Sequence, residues 1–220
     1  MKLKKADNLK EAINSFKPRP LMESELEEFY VDTEEARCAD IGCFLQLRDK
    51  LDDGEFIKLL FAGHTGSGKS TELNKLEQEI RDRFFIVKFS VRDHLDLYNF
   101  EYVDLILLLI EQVLEAANIR EIKINDKIIN LVYEWFSERV VKTIADSKYG
   151  VDLSAGIKTE ESIIGKLIGL IANFKANIKL SSDTRDEIRR TIKPNINLFK
   201  DQCNIILRDI DNNLYRNNKQ

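Results

Sequence analysis

The sequence predicts an α/β fold, rich in helix and built on a parallel sheet. Two adjoining observations predict it. Ile57-Lys58-Leu59-Leu60-Phe61-Ala62 is a short apolar run with the length of a buried strand. It leads straight into a glycine-rich turn, Gly63-His64-Thr65-Gly66-Ser67-Gly68-Lys69-Ser70-Thr71. After the turn, Leu73, Leu76 and Ile80 recur at helical spacing across residues 69–81, with polar residues between them. Strand, glycine loop and amphipathic helix open a parallel α/β unit. Phe84-Phe85-Ile86-Val87-Lys88-Phe89-Ser90-Val91 is aromatic and β-branched, and reads as a second buried strand.

The turn fits the P-loop pattern, Gly-x4-Gly-Lys-[Ser/Thr], at every fixed position. Gly63, Gly66 and Gly68 allow backbone angles that a side chain forbids, so successive N–H groups can turn inward around an anion. The helix that starts near Lys69 aims its unpaired N–H groups and positive dipole end at the same point. Lys69 supplies a full charge to the β- and γ-phosphates, Ser70 offers its hydroxyl to Mg2+, and Thr71 contacts the α-phosphate. Loop and helix together are expected to cradle ATP. His64 fills a variable loop position and reads as an exposed residue rather than a catalytic one.

Composition narrows the class. The chain has 220 residues, 43% hydrophobic and 33% charged, and a net charge of −4, which is a globular composition. Charges of both signs are interspersed, so the basic footprint of a dedicated nucleic-acid binder is not seen. Cys38, Cys43 and Cys203 have no zinc spacing and suit reduced thiols in a cytoplasmic protein. No signal-peptide core follows the charged start, and the longest apolar run, residues 105–110, is far shorter than a membrane span.

In chain order, residues 1–54 read as an arm and helix of the nucleotide-binding domain, 55–150 as the P-loop core, and 151–220 as a helical extension. Pro18 and Pro20 force an extended segment, expected to lie over the core. Asp32 to Glu35 looks like a helix start. Tyr30 and Val31, just upstream, are candidates for the adenine pocket or else plain core. Asp93 and Asp96 follow the second apolar run, and either is a candidate to reach the Mg2+ shell or a bound water; the alternative is a polar loop capping the next helix. Asn99 and Asn125 are expected to cap two long helices, the second carrying Trp135 in its core stripe. A short strand or hairpin arm over residues 149–157, a helix capped by Thr159 and a short strand at 176–180 are expected next. Ser182 opens a final helical region interrupted near Pro194. Arg185 and Arg189 share one face there at i, i+4 and are candidates to reach a γ-phosphate, in cis or from a neighbouring subunit. The alternative is a basic face paired with nearby acids.

An acidic strand end that would hold the metal's water and orient an attacking water is not found after the loop. Residues 204–209 come closest, but Arg208 breaks the pattern and the setting is helical. Two strands alone do not make a sheet with helices on both faces. The chain is therefore expected to be the N-terminal part of a longer protein, cut before that strand.

The loop with its flanks, Phe61-x-Gly63-His64-x-Gly66-Ser67-Gly68-Lys69-Ser70-Thr71-Glu72-Leu73, resembles bacterial AAA+/STAND-like P-loop ATPases. So do Phe89-Ser90-Val91 with Asp93, Leu95 and Asp96, Phe29-Tyr30-Val31-Asp32, and Ser182-x-Thr184-Arg185-x-x-Ile188-Arg189. The resemblance implies an ATP-driven switch that controls homo-oligomerisation or an attached effector or partner protein, often in signalling or anti-phage defence. Two other readings stand beside it: a P-loop small-molecule kinase with an arginine-rich lid, and a non-enzymatic adaptor that binds ATP for structure.

Overall fold

The computed structural model describes residues 6–15, 19–31, 47, 49–51, 53, 56–138, 162–180 and 182–217. Among the described residues the regular structure is helical and no β-strand occurs, so the expected α/β class with a parallel sheet is corrected. A strand exists through ladder pairing with a neighbouring strand, and neither apolar run forms a strand. Leu59 and Leu60 are 51% and 90% exposed, and Ile57 and Phe61 are only half-buried, so the first run is not a buried segment. An apolar run records a tendency to be covered; it does not supply the covering partner. The third expected strand, at 176–180, lies inside a helix. The helix start at Asp32, the hairpin arm at 149–157 and the Thr159 cap lie outside the described residues.

The chain divides into two compact units, Met1–Ile86 and Val87–Gln220. In the first unit, α1 spans Leu9–Ser15, α2 Ser24–Phe29 and α3 Lys69–Ile80. Leu76 and Ile80 are buried on α3 as their spacing predicts, whereas Leu73 is 44% exposed. The residues after Pro18 lie along α3. Leu21 N–H donates to Thr71 Oγ1 at 3.2 Å, and Asn74 Nδ2 donates to the Leu21 carbonyl at 2.7 Å. An extended segment leaves its backbone groups unpaired; α3 side chains take up both groups of Leu21.

The second unit is a helical assembly. It holds α4 (Val91–His94), α5 (Tyr102–Ile119), α6 (Asp126–Phe136), α7 (Ile163–Leu180), α8 (Ser182–Ile192) and α9 (Ile196–Asn217). A 3-10 turn at Lys193–Asn195 joins α8 to α9, where Pro194 cannot continue the backbone ladder. Helix α7 packs on α5, α6 and α8, while α9 packs on α5 and α6. Leu107, Leu114, Ile129, Phe136, Leu167 and Phe199 are fully enclosed. The single tryptophan, Trp135, is half-buried and stacks on the enclosed Phe199 at 5.2 Å between ring centres.

Helix caps decide where two of these helices begin. Asn125 caps α6 as expected, its side chain accepting from Lys127 N–H at 3.0 Å. Asn99 does not cap α5. Glu101 does, in a reciprocal box with Asp104 three residues on, which satisfies the N-terminal donors more fully than a lone asparagine. Asp209, from the stretch that most resembled an acidic strand end, is on α9 and accepts from Asn125 N–H at 2.7 Å.

Candidate phosphate-binding site

The site is built from the loop upward. Gly66 and Gly68 have φ of +82° and +83°, the left-handed region that side chains disfavour. Gly63 has a different role. A Cβ there would stand 3.0 Å from Ser67 Oγ and 3.5 Å from Lys69 Cδ, so a larger residue would press on the Ser67 hydroxyl. Ser67 N–H closes the turn onto the His64 carbonyl at 3.2 Å. Gly68 then occupies the N-cap of α3 without a side-chain cap, which leaves the first-turn N–H groups facing outward. A 12-residue helix begins there and adds its positive dipole end.

Lys69 is folded into its own loop. Its Nζ donates to the carbonyls of Gly63 and His64, each at 2.7 Å, and approaches Ser67 Oγ at 3.5 Å. These are neutral acceptors, so the ammonium keeps its net charge beside the loop. A cavity of about 310 Å³ opens here, lined by Thr65, Gly66, Gly68, Lys69, Ser70 and Thr71 together with Arg19 and Pro20. Ser70 is exposed at the second position of α3. Left-handed glycines, an uncapped helix start and an ammonium fit a phosphate anion, and the Ser70 hydroxyl fits a hard cation accompanying it.

Tyr30 hydroxyl donates to Glu72 Oε2 at 2.9 Å and accepts from Lys75 at 3.2 Å, with the Lys75 ammonium 4.3 Å from its ring centre. Partial burial raises the Tyr30 phenol pKa; the Lys75 hydrogen bond lowers it and Glu72 raises it again, with a net upward shift. Val31 is 73% exposed. Neither lines the cavity. Asp93 is exposed on α4, and His64 is exposed in the loop.

Arg185 and Arg189 point into an acidic cluster of the second unit. Arg185 stands 3.9 Å from Asp96. Arg189 is 4% exposed and donates to Asp104 at 2.5 Å, with Asn99 taking two further bonds. Lys193 completes the group, bonded to Glu101 at 2.6 Å, and that bond holds the Glu101 carboxyl below its usual value. Among the described residues, no group of three or more His, Cys, Asp and Glu side chains is arranged to hold a metal.

Sequence reasoning missed Arg19 and Pro20 as lining residues. The two prolines announced an extended arm over the core, but nothing in them tells which helix the arm meets. The signal was on α3: Thr71 and Asn74 are polar residues one turn apart, placed to pair the arm's backbone.

No protein-family model, curated protein or solved structure matches this chain.

Proposed function

We propose that residues 63–71 bind the triphosphate of ATP together with Mg2+, and that nucleotide occupancy acts as a switch on assembly or on an attached effector. One observation carries the reading: Lys69 is held by the Gly63 and His64 carbonyls within a loop whose Gly66 and Gly68 are left-handed. The reading stands on the loop and its helix, which are local features and require no sheet. Gly66 and Gly68 shape the turn, the start of α3 presents N–H groups, Lys69 carries the charge and Ser70 offers a metal ligand. Bound Mg2+ supplies neutralising charge to the phosphate oxygens.

The switch half of the proposal draws support from the arm. Leu21 is bonded to Thr71, and Arg19 and Pro20 just before it line the cavity, so filling the cavity bears on how the arm lies. Calorimetric titration of Mg-ATP into the chain and into its Lys69→Ala variant tests the binding half. Light scattering with and without Mg-ATP tests the assembly half.

A further inference from the structure

The cavity has a second cation, and the nucleotide motif does not account for it. Arg19 lines the same space as Lys69, Ser70 and Thr71. Its guanidinium forks onto Glu25, Nη2 to Oε1 at 2.6 Å and Nη1 to Oε2 at 2.8 Å. The Arg19 side chain is 36% exposed, while that of Glu25 is only 9% exposed. The arginine is thus the accessible member of the pair, and its partner is the sheltered one. Glu25 also accepts from Met22 N–H at 3.3 Å, so it keeps a donor if the arginine turns away. The backbone beside Arg19 is fixed, because Leu21 is bonded at both its N–H and its carbonyl to α3. An arginine on an anchored arm can therefore exchange partners without the arm detaching.

We infer that Arg19 is a second phosphate-binding cation of this loop, held by Glu25 until an anion enters and then transferred to it. This inference rests on the nucleotide reading above. A guanidinium fork suits phosphate oxygens as well as a carboxylate, and a triphosphate carries several charges against one on Glu25. Glu25 is then an internal competitor for the site, and the α2 end of the arm reports whether phosphate is bound.

Three variants and two probes test this, with Mg-ATP and tripolyphosphate titrated into the purified chain. Arg19→Ala should weaken both probes by about tenfold or more, the loss expected for one charge-assisted contact. Glu25→Gln should tighten both probes several-fold, because it removes the competing charge. Opposite signs separate this role from a clamp that merely holds the arm, for which both variants would weaken binding together. A loss for Mg-ATP with none for tripolyphosphate would make Arg19 a reader of the nucleoside and overturn the inference. Lys69-dependent binding that is unchanged in Arg19→Ala would overturn it while leaving the nucleotide reading intact. No Lys69-dependent binding in the unsubstituted chain would overturn both.

Discussion

Lys69 Nζ donates to the Gly63 carbonyl at 2.7 Å, so the loop closes over its own lysine. That closure depends on two kinds of glycine. Gly66→Ala meets no neighbour within 4 Å but must adopt a φ of +82°, at a cost of about 1–2 kcal/mol. Gly63→Ala adds no such strain but pushes on Ser67 Oγ. Both variants should weaken Mg-ATP binding, and Gly66→Ala should also lower the urea midpoint. Equal midpoints and equal affinities for both variants and the parent would contradict the geometry.

The Arg189–Asp104 pair sits in the second unit with its arginine only 4% exposed. Removing one member strands a buried charge, which costs about 3–5 kcal/mol. Asp104→Ala should lower stability by that order in urea unfolding. The double variant Asp104→Ala with Arg189→Met should cost less than the two single losses added, because no unpaired charge remains. Strict additivity would mean the two side chains do not interact.

Phe199 stacks against Trp135 and also meets Phe136 at 5.9 Å between centres. Phe199→Ala should destabilise by about 3–5 kcal/mol, the usual cost of emptying an aromatic site in a core. Trp135 is the only tryptophan, so its emission should shift in the folded variant. An unaltered spectrum and an unaltered midpoint would remove the aromatic cluster from the core.

Burial pushes the Cys203 thiol up to about 12. The thiol therefore stays protonated in the folded chain while the unfolded chain, with its usual value of 9.0, begins to ionise. The sign follows: this contribution to stability is complete below about pH 9 and is lost as pH rises towards 12. In a background with Cys38→Ser and Cys43→Ser, disulfide reagents at pH 8 should label Cys203 slowly when folded and rapidly in denaturant. Rapid labelling of the folded chain would show the thiol to be accessible.

Much of the helical order was legible in the sequence, since helix signals are local. Leu76 and Ile80, the Asn125 cap and the break near Pro194 each act within a turn or two of chain. That the described residues form no sheet was not legible, because an apolar run such as residues 57–62 becomes a strand only if another strand lies beside it. Nor was the pairing of Arg189 with Asp104, 85 positions earlier, legible in residue spacing. The candidate site divides along the same line. The loop is contiguous, and its glycines and lysine announce it. The Arg19 wall comes from a segment 50 residues upstream of Lys69 in number and becomes visible only when the Leu21 bond to Thr71 places it.

The most direct measurement is a calorimetric titration of Mg-ATP into this chain and into Lys69→Ala, with circular dichroism confirming that both are folded. Saturable binding to one site is expected, weakened on the order of a hundredfold when the ammonium is removed. Its helical signal should stay unchanged, because Lys69 bonds only to neutral groups of its own loop among the contacts described. No binding by the unsubstituted chain, or equal affinity in a folded Lys69→Ala variant, would contradict the assignment of residues 63–71 as a triphosphate cradle.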